Sequence, residues 1–567
     1  MIAPSLHQLA ALCATKGIEH VILCPGSRSA PLALAFLRSG KFTCYTFSDE
    51  RCAAFVGLGI AQQTNRPVIL VCTSGSAAYN FAPAVAEAYY QQVPLLVITA
   101  DRPKEWIDQL DGQTIRQPRI FGEHVKRYAE LPADFVHPDA EWFANRIGNE
   151  LINFAASYPR GPVHLNVPLR EPLYPSANEK VAAVNPRSIT ETPGQPTLSD
   201  SEWNSLLATI NQSRKVLVVA GQQGNNPSLR DSLHALTQTH RWPVVGDILS
   251  NLHALPGFIG HADTFLGQLP EKMKHGLKPD LLITFGQSLV AKNLKLFLRN
   301  FPPQAHWHIQ PGGEAPDTFK GLTRIIRTDP QYFFDQLQRR TLDQQVAHRV
   351  YTDEWSQHEV QARSAVDSFL ESQEHGEFSL VHNLLRHLPE RCNLHLANSM
   401  SVRYANHVGL LDTQHGVHVY GNRGTSGIDG CTSTATGHAL SNSVPNVLVT
   451  GDQAFFYDRN AFWHNYPLPN LLVVVLNNHG GIIFNLIDGP SSLPEAEEFF
   501  ITRQPLRAKA LAQEFGYTYT EGTNPNWKDF FQPGSDTKIH ELESSQTQNK
   551  SIFEAFKKHI RKSYEAN

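Results

Sequence analysis

The apolar run Val447-Leu448-Val449 closes on Gly451-Asp452. A second run, Leu471 to Leu476, leads into Asn477-Asn478-His479-Gly480-Gly481, with Asn478 placed 26 residues after Asp452. Short runs that are apolar throughout read as strands buried on both faces of a parallel sheet. Each run therefore delivers a hard oxygen donor to the C-terminal end of a strand, a carboxylate from Asp452 and an amide from Asn478. The interval between them holds one crossover helix. Mg²⁺ favours such donors and completes its octahedron with phosphate oxygens. The flanking glycines let the backbone approach a phosphate. Singly, each segment reads as a turn after a strand; together, in one α/β block, they predict a site for a divalent cation and a diphosphate.

The same alternation of strand-like and helical patterns extends through the chain. Val21–Cys24, Thr43–Phe47, Val68–Cys72, Leu95–Thr99 and Val163–Val167 predict a first parallel sheet, residues 1–180. A Pro-, Ser-, Thr- and Asn-rich stretch, 174–200, reads as a linker. Lys215–Ala220, Val244–Gly246, Leu281–Phe285, His306–Ile309 and Arg324–Ile326 predict a second sheet, residues 198–345, followed by a charged helical stretch over roughly 330–372. Asn393–Ala397, His418–Tyr420, Asn446–Thr450 and Leu471–Leu476 predict a third, residues 375–567, which resembles the first in scale. The polar segment 521–550 reads as surface loop with room for one strand, ahead of a last helix near 551–562. The expected fold class is thus α/β, three domains, each a mostly parallel sheet flanked by helices.

Composition narrows the function classes. At 567 residues the chain exceeds one hydrophobic core. A net charge of −4 gives no reason to expect a nucleic-acid partner. No apolar run approaches a membrane span, and the N-terminus lacks a basic region followed by a long apolar stretch, so neither a membrane partner nor a signal peptide is expected. Seven cysteines, five of them in the first eighty residues and none in a CxxC pair, read as buried reduced thiols and favour a cytoplasmic location.

The Gly451-Asp452 and Asn477-Asn478 pairing at this spacing resembles the signature of the thiamine-diphosphate enzymes. One departure is Gln453, where many members have glycine. The resemblance implies a pyrimidine-binding, a middle and a diphosphate-binding domain, with thiamine diphosphate and Mg²⁺ (or Mn²⁺) as cofactors. It implies Asp452, Asn478 and the backbone oxygen of Gly480 as metal ligands, and Gly451 beside the diphosphate. It also implies a catalytic glutamate after the second strand of the first block. Glu50, in Ser48-Asp49-Glu50-Arg51 after Tyr45-Thr46-Phe47, has that address. There a carboxylic group hydrogen-bonded to the aminopyrimidine promotes loss of the cofactor's thiazolium proton. Ile428 matches the apolar side chain wedged under the cofactor, and Ile483 and Phe484 match the apolar wall shared by cofactor and substrate. No FAD is expected, since the middle block has no Gly-x-Gly-x-x-Gly.

Further strings narrow the resemblance. Cys24-Pro25-Gly26-Ser27-Arg28-Ser29, Thr99-Ala100-Asp101-Arg102-Pro103, Gln113-Thr114-Ile115, Ala397-Asn398-Ser399-Met400-Ser401-Val402-Arg403 and Asn422-Arg423-Gly424-Thr425-Ser426-Gly427-Ile428-Asp429-Gly430 follow in order. They are similar to the menaquinone-pathway branch of the family. That branch decarboxylates 2-oxoglutarate and adds the succinyl-level carbanion to isochorismate in a 1,4-addition. Both substrates are dicarboxylates, and arginine suits bidentate carboxylate binding. The resemblance assigns Ser27, Arg28, Arg102, Gln113 and Lys292 to isochorismate or the intermediate. It assigns Ser399, Arg403 and Arg423 to the oxoglutarate-derived part. Lone arginines are usually solvated charges, but Arg28 and Arg423 fall in Gly/Ser-rich loops after strands, where α/β sheets bind ligands. Lys292 opens an ordinary amphipathic pattern. Finally, the resemblance implies a homodimer or homotetramer in which Glu50 and Asp452 meet across a subunit interface.

Overall fold

A computed structural model describes residues 4–174, 176, 184–340, 346–372, 376–486 and 490–565. Part of the predicted linker lies outside the described residues. Residues 184–198 form no regular element, and the part near Arg187 and Ile189 is tied down: Asn149 Nδ2 donates to Arg187 O at 2.9 Å and Asn153 Nδ2 to Ile189 O at 3.1 Å.

The strands fall into three sheets. The first holds β1 (His20–Leu23), β2 (Thr43–Thr46), β3 (Val68–Cys72), β4 (Leu95–Asp101), β5 (Tyr128–Glu130) and β6 (Val163–Pro168), in the order β2-β1-β3-β4-β6-β5. The second holds β7 (Val216–Ala220), β8 (Val244–Gly246), β9 (Leu281–Phe285), β10 (Ala305–Ile309) and β11 (Arg324–Ile326), in the order β11-β10-β9-β7-β8. The third holds β12 (Arg391–Leu396), β13 (Gly416–Tyr420), β14 (Asn446–Gly451), β15 (Leu471–Asn477), β16 (Thr518–Glu521) and β17 (Lys538–Glu543), in the order β13-β12-β14-β15-β17-β16. Every pairing is parallel among the described strands. The expected α/β class and the three parallel sheets are what the chain forms.

The first and third sheets share one topology. Numbering each sheet's strands in chain order gives the same sequence of neighbours in both, so β1 corresponds to β12, β2 to β13, β3 to β14 and β4 to β15. In each, the order reverses between the first strand and the third. That reversal opens a crevice at the carboxyl ends of the strands, where α/β sheets take ligands. The segments at the carboxyl ends of β1, β2 and β4, and of β12, β13, β14 and β15, carry the residues singled out above apart from Lys292.

Two helices lock the first and third sheets together. Glu50–Thr64 follows β2, and Cys431–Ser441 follows β13. They cross closely enough that a Cβ on Gly59 would lie 2.1 Å from Thr434 O, and one on Gly437 would lie 2.1 Å from Val56 O. Glycine at both positions permits this approach.

Two segments differ from expectation. The charged stretch 330–372 supplies two helices, Pro330–Gln338 and Val346–Glu371, and the second buries Tyr351, Trp355, Ala362, Val366 and Phe369 against the core. The polar segment 521–550 is more than loop: β17 lies inside the third sheet between β15 and β16, with His540 and Glu541 buried. The last helix starts at Gln546, earlier than expected. All seven cysteines are free, and all but Cys44 are buried. Among the described residues, no helix is long and apolar enough to cross a membrane.

Candidate active site

A cavity of about 440 Å³ opens at the carboxyl edge of the third sheet. Ten predicted site residues line it: Ser399, Arg403, Arg423, Ile428, Gly451, Asp452, Asn478, Gly480, Ile483 and Phe484. The reason is topological. β14 ends at Gly451 and β15 at Asn477, adjacent strands paired so that Gly451 faces Leu476. The two donors therefore leave the sheet side by side despite their separation in sequence.

Asp452 is buried at the start of the helix Asp452–Tyr457, and burial pushes its carboxyl up to about 6. Its Oδ2 accepts from Gln504 Nε2 at 2.7 Å, and its carboxylate also accepts the Gly480 backbone N–H. Asn478, 4% exposed, donates through Nδ2 to Glu377 Oε1 at 2.7 Å and accepts at Oδ1 from Gln546 Nε2 at 3.0 Å. Gly480 has φ 159°, and a Cβ there would lie 2.8 Å from Ile501 O. His479 before it has φ 61° and is held by Gln504 O at 3.1 Å and Glu543 Oε1 at 3.0 Å. The left-handed turn at His479 directs the chain back across the cavity floor. Among the described residues, no cluster of three His, Cys, Asp or Glu side chains could hold a metal. The floor offers a different donor set: one carboxylate, one amide oxygen and one main-chain oxygen. Asn478 Oδ1 and Gly480 O each accept one protein hydrogen bond, from Gln546 Nε2 and Ile482 N, and keep a second lone pair, so the set fits a hard divalent cation sharing its sphere with phosphate.

Another part of the lining is cationic. Ser399 adopts φ 72°, a conformation costly for a residue with a side chain, as the chain turns from β12 into the helix Met400–Val408. Arg403, one turn into that helix, donates to Ser399 O. Arg423 Nη1 donates to Asn398 Oδ1 at 2.7 Å, and its buried Nε has no partner. The loop carrying Arg423 is clamped from the first sheet's side by buried Glu87, which accepts from Gly424 N at 2.8 Å and from Thr425 N at 2.6 Å. Burial pulls both guanidinium groups below the usual arginine range, and for Arg403 the Arg423 charge adds to it. Two desolvated cations side by side, one with an idle donor, form a receptor for a carboxylate. Ile428 stands at the rim, 38% exposed, and Phe484 packs on Phe500 with ring centroids 5.7 Å apart.

The remaining predicted residues gather at the matching edge of the first sheet. Glu50, half-buried, opens its helix and accepts from Asn80 Nδ2 at 3.3 Å. It stands close to Cys24 and Cys72, whose thiols are raised by burial first and by the Glu50 charge in addition. Arg28 is buried, donates from Nη1 to Leu169 O at 2.8 Å, and leaves Nε without a partner. Arg102, which follows β4, donates to Ser74 Oγ at 3.0 Å and to Gln113 O at 3.4 Å and pairs with Asp111. Burial and the Arg102 charge lower Arg28. Ser27 and Gln113 are exposed beside this second arginine pair. None of Glu50, Ser27, Arg28, Arg102 and Gln113 lines the cavity holding Asp452. Lys292 belongs to neither group: it is the exposed first residue of the helix Lys292–Asn300.

One residue of the cavity lining and two that bond to its oxygen donors carried no sequence signal. Glu377, Gln504 and Gln546 are isolated polar residues outside any motif. Burial pushes Glu377 up to about 7.

Comparison with known proteins fits this geometry. Residues 6–120 match the model for "Thiamine pyrophosphate enzyme, N-terminal TPP binding domain", and residues 191–396 match "Middle domain of thiamine pyrophosphate". The chain is 45% identical over 554 residues to the 2-succinyl-5-enolpyruvyl-6-hydroxy-3-cyclohexene-1-carboxylate synthase of Cytophaga hutchinsonii, covering 97% of each. This chain belongs to that synthase family. Similar relatives of the same name occur in Phocaeicola vulgatus, 38% identical over 91% of this chain and 90% of the relative, and in Flavobacterium johnsoniae, 37% identical over 90% and 89%. It is accordingly a thiamine-diphosphate-dependent, carbon–carbon bond-forming enzyme.

Proposed function

We propose that the protein decarboxylates 2-oxoglutarate and transfers the remaining succinyl unit to isochorismate by 1,4-addition. The product is 2-succinyl-5-enolpyruvyl-6-hydroxy-3-cyclohexene-1-carboxylate, on the route to menaquinone. The observation that carries this reading is the cavity itself, an oxygen-donor floor for a cation and diphosphate beside two desolvated arginines for a dicarboxylate. Thiamine diphosphate, when bound, supplies the electron sink that decarboxylation of a 2-oxoacid needs.

The chain's own residues do the rest. Asp452, Asn478 and Gly480 O hold Mg²⁺ or Mn²⁺, with Gly451 leaving room for the diphosphate, since a Cβ there would meet nothing within 4 Å. Ile428, Ile483 and Phe484 form apolar walls that support the cofactor and exclude water. Arg403 and Arg423, with Ser399, hold the distal carboxylate of 2-oxoglutarate. Glu50 holds and moves the proton at the aminopyrimidine ring. Arg28, Arg102, Ser27 and Gln113 receive isochorismate, whose two carboxylates match a second arginine pair. Lys292, exposed at the start of its helix, is assigned to the same substrate on the family resemblance alone.

The separation of the Glu50 group from the Asp452 cavity supports assembly of each site from two chains, hence a homodimer or homotetramer. The rim position of Ile428 supports it too. We place the pyrimidine, middle and diphosphate domains at 1–180, 198–345 and 375–567, and the protein in the cytoplasm, in keeping with its free thiols.

Turnover with both substrates tests the reading. Isochorismate absorbance should fall only when 2-oxoglutarate, thiamine diphosphate and Mg²⁺ are all present. Consumption of pyruvate with no effect of isochorismate would assign a different carboligase activity. Within the site, Arg423→Ala should raise the KM for 2-oxoglutarate about 10–100-fold, the value of one or two charge-assisted hydrogen bonds. Cofactor affinity should stay within a few-fold. An equal loss of both in titration and steady-state kinetics would remove Arg423 from substrate binding.

A further inference from the structure

Glu377 is 1% exposed, lines the cavity, and among the described residues is the one acid there besides Asp452. It opens the helix Glu377–Arg386 after Gly376, whose φ of 150° and lack of a Cβ let the chain pass Ile552 Cδ1, 2.7 Å from where that Cβ would stand. Its position is over-determined. Its backbone N–H donates to Asn549 Oδ1 at 3.1 Å, Asn549 Nδ2 donates to Ser544 Oγ at 2.9 Å, and Ser544 Oγ donates to Glu377 Oε1 at 3.2 Å. The second carboxyl oxygen, Oε2, is buried too, and the buried Tyr404 hydroxyl is the side-chain donor next to the carboxyl.

From Oε1 a chain of side-chain amides runs along the floor. Asn478 Nδ2 donates to Glu377 Oε1 at 2.7 Å, Gln546 Nε2 donates to Asn478 Oδ1 at 3.0 Å, and Asn485 Nδ2 donates to Gln546 Oε1 at 2.9 Å. Each amide could be turned end for end without changing its shape. Only Glu377 cannot be so reversed. Oε1 accepts whether the group is ionised or carries a proton on Oε2, so it dictates that Asn478 presents Nδ2 to it and Oδ1 on the other side, where Gln546 Nε2 donates. Gln546 and Asn485 then follow in sense. Asn485 belongs to the turn Ile483–Leu486, so the relay also ties the apolar wall to the floor.

We infer that Glu377 is a positioning residue of the metal site. It fixes the amide of Asn478 so that the oxygen, and not the nitrogen, is the atom left for the cation. This rests on the metal-and-diphosphate reading of the cavity. Mg²⁺ keeps waters when bound, and partners that orient its ligands typically contribute about 10–100-fold in metal affinity.

The experiment is a Mg²⁺ titration at fixed thiamine diphosphate, read by tryptophan fluorescence and by calorimetry, with thermal unfolding of the same samples. Glu377→Leu should weaken Mg²⁺ at least tenfold, with saturating Mg²⁺ restoring cofactor binding. Glu377→Gln, which keeps an accepting oxygen against Asn478, should stay within about threefold of wild type. Wild-type Mg²⁺ affinity in Glu377→Leu overturns the inference. So does a Glu377→Gln loss as large as that of Glu377→Leu, which would make charge rather than amide orientation the cause. Should Glu377→Leu fail to unfold cooperatively, Glu377→Asp takes its place, with the acceptor drawn back one methylene and the same loss expected. Asp452→Ala in parallel separates the two levels. If it binds Mg²⁺ and cofactor normally, the metal reading itself fails; if it loses both while Glu377→Leu does not, only the role of Glu377 fails.

Discussion

Asp452→Ala is expected to abolish Mg²⁺-dependent binding of thiamine diphosphate, the largest binding effect any single substitution in this protein should have. Asp452 is the only carboxylate among the three proposed ligands; the other two are neutral oxygens. Removing an outer partner of a metal ligand already costs about 10–100-fold in affinity, so loss of the charged ligand should exceed that range. Desolvation sharpens the effect. Asp452 is 2% exposed, and its only charge-stabilising contacts are the neutral donors Gln504 Nε2, Gly480 N–H and local backbone N–H groups. A cation is what its buried charge lacks. Titration of the purified variant with cofactor at several Mg²⁺ concentrations decides the matter. Normal affinity would remove Asp452 from the metal site. Folding should survive, because the shorter side chain leaves Gln504 bonded to Asn477 Oδ1 at 3.2 Å.

The parts of the site that could be read from sequence share a physical cause. Asp452 and Asn478 follow strands whose residues are buried on both faces, so apolar runs mark where they emerge. Arg28 and Arg423 stood out because they fall in Gly/Ser-rich loops after strands, where α/β sheets bind ligands, whereas Ser399 came from the family strings. A strand within 521–550 was expected, but the place of β17 inside the sheet stayed hidden because its burial is offset by hydrogen bonds. Glu541, fully buried, accepts from Asn477 Nδ2 at 2.7 Å, Ala508 N at 3.0 Å and Tyr519 Oη at 2.6 Å. A polar strand satisfied in this way looks like a loop to any hydrophobicity pattern. β5 was too short, three residues at the sheet edge, to leave a pattern at all. Glu377 shares the difficulty of β17: its meaning lies in partners remote in sequence, Asn478, Ser544 and Asn549. A glutamate at a helix start is commonplace, favoured by the helix dipole alone. Lys292 shows the converse. Its string matched the family, but the local pattern was that of an amphipathic helix, and it stands exposed on one.

Glu50→Gln should reduce kcat by about 10²–10⁴, the usual contribution of a positioned acid–base group, while cofactor affinity changes less than tenfold. Retained turnover would leave Glu50 as a mere first-turn acid of its helix. The stronger test uses the geometry. Glu50 and Asp452 occupy corresponding edges of two sheets with the same strand order, yet Glu50 does not line the Asp452 cavity. If two chains complete each site, a two-fold arrangement gives one site from each Glu50 and its neighbour's Asp452. A mixed dimer of one Glu50→Gln chain and one Asp452→Ala chain then places both defects in one site and leaves the other intact. Equal mixing of the two inactive variants, with subunit exchange, should therefore restore about a quarter of the wild-type rate per chain. If the two residues served a site within one chain, every chain in the mixture would carry a defect and no activity would return. Recovery on mixing thus locates the catalytic glutamate and the subunit interface in one measurement.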